Sequence, residues 1–122
     1  MTTSTHQENA YARKVMADGV RSLNADGRYG NLSPEAKYLY SLALDRVGLS
    51  TRNGWRDETR RPFIRFSAGE AAFLLGVGES KARRLFRELE SLGLIRREKR
   101  GQGRPDRLFV RTFDGEAAEP YN

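Results

Sequence analysis

The sequence predicts a winged helix-turn-helix, a mainly α fold (α+β) that carries a small β-hairpin wing. Apolar residues recur at helical spacing in three segments between residues 34 and 92, which predicts three amphipathic helices. Two β-type runs, residues 94–100 and 107–113, follow the third segment, and the loop between them is rich in Gly, Pro and Asp. This order of elements is typical of a winged helix.

A chain of 122 residues suits a single hydrophobic core. Its 38% hydrophobic and 31% charged residues are typical of a soluble globular domain. We expect the winged-helix domain at residues 28–113, after a poorly ordered lead-in at residues 1–27 and before an acidic, frayed tail at residues 114–122. No stretch is apolar enough for a membrane span or a signal peptide, so we expect a cytoplasmic protein.

The first helix is predicted at residues 34–47. Ser33 offers an N-cap hydroxyl, Pro34 suits the first helical position, and Gly48 marks the expected end. Residues three and four apart give this helix an apolar stripe of Ala36, Leu39, Tyr40, Ala43 and Val47. We expect that stripe to pack into the core.

A long ordered loop is expected at residues 49–61, because the segment is polar and lacks any period. Trp55 is the residue of this loop that we expect to be buried. Residues 62–66 then alternate between apolar and polar, which predicts a short strand with Pro62 at its first position.

The second and third helices follow this strand closely. Ser67 and Glu70 have the spacing of a capping box, which predicts a helix at residues 68–75. A tight turn at residues 76–78 leads into a third helix at residues 79–92. Its predicted apolar stripe consists of Ala82, Leu85, Phe86, Leu89 and Leu92.

The opposite face of the third helix is basic and makes it a candidate recognition helix. An arginine fork matches both guanine edges and phosphate oxygens, and a helix of this size fits the major groove of B-DNA. The candidate DNA-binding residues of this helix are Ser80, Lys81, Arg83, Arg84 and Arg87. The alternative interpretation is a solvated helix face without a partner.

The hairpin supplies a second set of candidates, because glycines at its tip would allow close approach to a sugar–phosphate backbone. The candidate DNA-binding residues of this wing are Arg97, Lys99, Arg100, Gln102, Arg104 and Arg107. The alternative is that these charges protect an edge strand from aggregation.

Charge is concentrated in the last two elements. Residues 81–111 hold eleven Lys and Arg against four Asp and Glu, whereas the whole chain holds 22 against 16. Such a balance suits a polyanionic partner. The chain has no cysteine and a single histidine, His6, so we expect no metal site, no cofactor and no catalytic residues.

Several motifs resemble those of one family over residues 28–113. The motifs are Asn31-Leu32-Ser33, Asn53-Gly54-Trp55, Phe63-Ile64-Arg65-Phe66-Ser67 and Gly101-Gln102-Gly103-Arg104-Pro105-Asp106-Arg107. In these the sequence resembles the N-terminal domain of plasmid replication initiator protein A. The resemblance implies a non-enzymatic winged helix that binds repeated double-stranded DNA sites at a plasmid origin. It also implies a homodimer, with host replication proteins engaged only through a C-terminal domain that this chain lacks.

Other functions stay open at this point. A transcriptional regulator of the same architecture would bind operator DNA by the same physics. A winged helix that binds only proteins is a further alternative. A rolling-circle nicking enzyme would need a histidine cluster beside a nucleophilic tyrosine, which one histidine cannot supply. Stacking on single-stranded DNA is considered for Tyr29, Tyr38, Tyr40 and Trp55, but packing is the favoured role for this set.

Overall fold

A computed structural model of the chain describes residues 32–49, 55–112 and 117–118. Its elements are the helices α1 (Pro34–Leu49), α2 (Ala68–Leu75) and α3 (Glu79–Ser91), followed by the strands β1 (Ile95–Glu98) and β2 (Arg107–Val110). The two strands pair antiparallel as a hairpin. The predicted fold class is therefore confirmed, as is the order of three helices followed by a hairpin, while the predicted lead-in lies outside the described residues. No helix in the described ranges is long and apolar enough to cross a membrane.

Helix α1 begins as predicted and ends two residues later than predicted. The Ser33 hydroxyl accepts a hydrogen bond from the Ala36 backbone N–H at 3.2 Å, which is the expected cap. The helix continues through Gly48, which is buried, and ends at Leu49. A helical glycine costs only about 1 kcal/mol relative to alanine, and close packing at a buried site overrides that preference.

The strand predicted at residues 62–66 is not a continuous strand. Two isolated bridges replace it, one from Pro62 to Arg56 and one from Ile64 to Leu108. The bridge to Leu108 is made by two reciprocal backbone hydrogen bonds of 2.9 Å. Within residues 62–66 only Ile64 pairs its backbone with β2, because the chain before it folds back on itself, and the Phe63 N–H donates to the Trp55 carbonyl at 3.2 Å.

Asp57 closes the tip of this folded-back loop. One carboxylate oxygen accepts from the Thr59 N–H at 2.9 Å, the Thr59 hydroxyl at 2.8 Å and the Arg61 N–H at 2.8 Å. The other oxygen lies 3.0 Å from the guanidinium of Arg61. Burial would raise the pKa of Asp57, but these hydrogen bonds together outweigh it and lower the pKa from 3.8 to about 2.

This depressed pKa predicts an acid-sensitive contribution to stability. Because the folded pKa of Asp57 is lower than the unfolded one, its contribution is present above the unfolded value of 3.8 and is lost as the pH falls through about 2. We expect Asp57→Asn to lower the melting temperature near neutral pH. The difference from wild type should shrink between pH 5 and pH 2, followed by circular dichroism. A difference that stays constant over this range would contradict the assignment.

The core lies between α1, α3 and the inner side of the hairpin. Its largest fully buried side chains are Tyr40, Phe86, Leu39, Ile64, Leu89, Leu94, Ile95 and Leu108. The Tyr40 hydroxyl donates to the Arg111 carbonyl at 2.6 Å, so its polar end is satisfied inside the core. Leu92 was predicted in the core stripe, but it is 38% exposed because α3 ends one residue before it.

The helix-turn-helix unit forms as the sequence predicts. The Glu70 N–H donates to the Ser67 hydroxyl at 3.0 Å, and the Ser67 N–H donates to the Glu70 carboxylate at 3.2 Å, which completes the capping box. Gly76 has a φ of 70°, a left-handed conformation that favours glycine. The chain can therefore turn sharply between α2 and α3, and the two helices pack against each other.

The wing strands are shorter than predicted, four residues each instead of seven. Their register sets Ile95 opposite Val110 and Glu98 opposite Arg107. Beyond β2, the Ala118 N–H donates to the Val110 carbonyl at 2.9 Å, and Ala118 is buried in the core. Within the segment expected to be frayed, Ala118 is thus held beside β2. Most of the rest of residues 114–122 lies outside the described residues.

Candidate nucleic-acid interface

Helix α3 has one buried face and one basic face. Its buried residues are Ala82, Leu85, Phe86 and Leu89, as predicted. Phe86 meets Phe66 edge to face, with ring centroids 5.6 Å apart, which fixes the rotation of the helix about its axis. The exposed residues of the opposite face are Ser80, Arg83, Arg84 and Arg87. This packing is the physical reason why those three arginines point to solvent.

The two carboxylates that interrupt the basic run of α3 are both engaged elsewhere. Glu88 accepts from the Ser33 N–H at 2.7 Å and from the Ser33 hydroxyl at 3.0 Å, at the start of α1. Glu90 lies 3.8 Å from Arg97 of β1. These contacts anchor α3 to its neighbours, and the Arg97 guanidinium partly offsets the charge of Glu90.

A groove of about 380 Å³ runs between α3, the start of α2 and the wing. Arg83 and Arg87 line it from α3, and Lys99 lines it from the wing. The structure thus brings together predicted residues from both elements, although they are far apart in sequence. Lys81 is not part of this groove; it is half-buried and pairs with Glu35 of α1.

The wing loop carries exposed polar and cationic side chains. Lys99, Gln102 and Arg104 are exposed, and Arg100 is half-buried. Gly101 and Gly103 have φ angles of 75° and 73°, and the Arg104 N–H donates to the Gly101 carbonyl at 3.0 Å. Within the described ranges, the cations that form no ion pair include Arg84, Arg87, Lys99, Arg100 and Arg104. Their charges are available to a partner.

Arg107, a predicted DNA contact of the wing, is engaged within the protein. Its side chain is only 9% exposed, lies 3.0 Å from Glu58 and 3.4 Å from Glu98, and its guanidinium sits 5.0 Å from the ring centre of Phe63. The hydrogen bond from Arg107 lowers the pKa of Glu58. Arg107 therefore ties the wing to the loop before α2. The sequence carried no signal for this contact, because Glu58 is 49 residues away.

Arg97 also differs from its predicted role. Its side chain is 22% exposed, and its guanidinium contacts Asp106 at 3.2 Å and Glu90 at 3.8 Å. The same guanidinium lies 5.2 Å from the ring centre of Phe86. Arg97 lines the groove, but it is engaged within the protein on both sides.

A second group of arginines, outside the candidate DNA-binding set, packs on aromatic rings away from the groove. Arg96 lies over Phe109 at 4.4 Å and Arg61 lies over the same ring at 5.1 Å. Arg65 lies over Trp55 at 5.4 Å. The alternation of a strand could have indicated Arg96, since it points to the opposite face from Arg97.

Of the aromatic residues considered for stacking, Trp55 and Tyr40 are used in packing. Trp55 is half-buried and stacks on Phe63, with centroids 6.3 Å apart and ring planes 7° from parallel. Tyr40 belongs to the core, Tyr38 is 54% exposed, and Tyr29 lies outside the described residues. No cluster of His, Cys, Asp and Glu among the described residues could hold a metal ion.

Comparison with known proteins gives a consistent set of relatives. A family profile described as "Replication initiator protein A (RepA) N-terminus" matches residues 20–122. A curated "41 kDa protein" of Lactobacillus helveticus is 28% identical over 94 residues, which cover 72% of this chain and 27% of that protein. The chain thus spans about a quarter of the length of this curated relative.

Solved structures with the same fold were also found. One described as "N-Terminal domain of DNA binding protein" has a TM-score of 0.63 and 28% identity, covering 70% of this chain and 65% of that one. "Structure of Rep-DNA complex" has a TM-score of 0.64 and 27% identity, covering 73% and 69%. "Structure of MDR initiator" has a TM-score of 0.59 and 27% identity, covering 72% and 69%.

Proposed function

This chain belongs to the replication initiator protein A N-terminus family, and we propose that it binds specific double-stranded DNA sites, without catalysis. Its targets in this proposal are repeated sites at a plasmid-type origin, bound in the cytoplasm. The observation that carries the proposal is the exposed arginine face of α3, formed by Arg83, Arg84 and Arg87, beside a groove that Lys99 of the wing also lines.

Physical complementarity supports duplex DNA as the partner. The width of the major groove admits an α-helix, and α3 carries its arginines on the face opposite the core. Each guanidinium can donate two parallel hydrogen bonds to a guanine edge or to a phosphate. Glu88 and Glu90 are held by Ser33 and Arg97, so their repulsion of phosphate is reduced. The exposed face of α3 is accordingly suited to a polyanion.

The relatives support the same partner. A structural neighbour is described as a Rep–DNA complex, and it is 27% identical to this chain. Binding of host replication proteins by a separate domain, and assembly of this chain as a homodimer, belong to the same proposal. They concern an initiator protein as a whole. The match to the curated relative covers 27% of that relative's length.

The proposal assigns different roles to the helix and to the wing, and single substitutions test this division. Arg84→Ala is expected to cost roughly 1–3 kcal/mol on the preferred duplex and to relax the preference for one base pair. Lys99→Ala should weaken binding to all duplexes alike and reduce the slope of log K against log salt by about 0.9, because one phosphate contact is lost. Fluorescence anisotropy over a salt series, on preferred and scrambled duplexes, measures both effects. Equal losses on both duplexes for both variants would contradict the division.

A further inference from the structure

The groove contains two carboxylates, which are unfavourable beside a phosphate backbone. Glu90 contributes one from α3, and Asp106 contributes the other from the residue before β2. Their side chains are 30% and 34% exposed. A surface that served only to attract a polyanion would gain from neutral residues at both positions. These two carboxylates therefore need a role of their own.

Both carboxylates contact the same guanidinium. Arg97 Nη1 donates to Asp106 Oδ2 at 3.2 Å, and Arg97 Nε lies 3.8 Å from Glu90 Oε2. The guanidinium lies over the ring of Phe86, 5.2 Å from its centre, and Phe86 is one helical turn before Glu90. Arg97 thus connects the middle of β1, the end of the wing loop and the centre of α3 at one point.

Buried strand residues and the contacts of Arg107 hold the base of the wing, and the Arg97 contacts add a connection to α3. The two strands of the wing have four residues each, and eight residues separate them. A hairpin of this size is marginally stable without support from another element. Fixing the wing before binding would also reduce the conformational entropy that is lost when both wing and helix contact one duplex.

We propose that Arg97 is a positioning residue that holds the wing against α3 through Asp106, Glu90 and Phe86, and that it does not itself contact DNA. These contacts of Arg97 are called the brace below. The inference rests on the proposed function, because the wing and α3 must bind the same duplex for their spacing to matter. It reassigns Arg97 from the set of DNA contacts to the machinery that holds those contacts in place.

The sharpest test removes Asp106, because the brace and simple electrostatics predict changes of opposite sign. Asp106→Ala makes the groove more positive, so electrostatics alone predicts tighter binding, by about two- to threefold. The brace predicts weaker binding, by about threefold or more, because the wing loses its support. Glu79→Ala is the matched control: it removes one exposed carboxylate of α3, 3.9 Å from Arg83, outside the brace. We expect this control to bind more tightly.

Arg97→Lys gives an independent readout. Lysine keeps the charge, but its compact ammonium cannot replace a planar fork that contacts two carboxylates. The brace predicts that Arg97→Lys weakens binding as Asp106→Ala does. It also predicts that Lys99→Ala costs less in the Arg97→Lys background than in wild type, because an unsupported wing already contributes less. A direct phosphate contact at Arg97 predicts nearly wild-type affinity and additive losses instead.

The duplex for these measurements is the one that the wild-type protein selects from a random-sequence pool. Fluorescence anisotropy of this duplex gives the affinity of each variant, and the melting temperature of each variant is recorded as well. Weaker binding of Asp106→Ala and non-additivity of Arg97→Lys with Lys99→Ala support the brace. If Asp106→Ala binds DNA more tightly, by as much as Glu79→Ala does, the brace is overturned. The proposed function still stands in that case, provided that Arg84→Ala weakens binding. If Arg84→Ala leaves the affinity unchanged, both proposals are overturned.

Discussion

Replacing Arg83, Arg84 and Arg87 together by glutamine is expected to abolish preferential binding to duplex DNA. Each guanidinium is exposed on the outward face of α3, and each lost contact costs roughly 1–3 kcal/mol. The combined loss is therefore about a hundredfold in affinity or more. Glutamine is a good helix former, so α3 itself should be preserved. Anisotropy titration with the preferred duplex measures the loss, and circular dichroism verifies the fold.

A charge-matched control separates location from net charge. Arg56, Arg60 and Arg65 are exposed on or just after the loop before α2, and none of them lines the groove. Their combined replacement by glutamine removes the same three charges. We expect only the modest loss that follows from a lower net charge. Equal losses for the two triple variants would mean that binding depends on total charge and not on α3. Unchanged affinity for the α3 variant would instead indicate a winged helix that binds proteins.

Phe86→Ala is expected to have the largest effect on stability, about 3–5 kcal/mol. The ring is 1% exposed, packs edge to face on Phe66 and supports the guanidinium of Arg97. Its removal would leave a cavity between α3 and the segment before α2, and it would also release the basic face from its fixed rotation. Chemical denaturation followed by circular dichroism gives the free energy of unfolding.

The matched control for this substitution is Phe73→Ala in α2. The Phe73 side chain is 87% exposed, so its loss should change the free energy of unfolding by no more than about 0.5 kcal/mol. If Phe86→Ala were equally mild, the inward face of α3 would have been assigned incorrectly.

The order of elements could be predicted because its signals are local. Ser33 with Pro34 starts α1, and Ser67 with Glu70 starts α2. The stripe of α3 could be found for the same reason, since residues three and four apart share one helix face. Exposure of Arg84 and Arg87 followed directly from that stripe.

The roles of other arginines depended on contacts between different elements of the fold. Arg107 is buried because it meets Glu58 from a distant loop, and Arg97 is engaged because it meets Glu90 and Asp106. A basic residue in a predicted wing gives no sign of such partners. The packing of the hairpin against α3 and against the loop before α2 decides them, and this packing is not encoded in a local pattern.

Recognition of a particular DNA sequence by this domain is measured by fluorescence anisotropy on duplexes tiled across the chain's own coding DNA and its flanks, at several salt concentrations and against scrambled DNA. We expect a repeated tile to bind about a thousandfold or more tightly than scrambled DNA near physiological salt. Uniform binding to all tiles that disappears steeply as salt is raised would contradict this expectation, because phosphate contacts alone produce that behaviour.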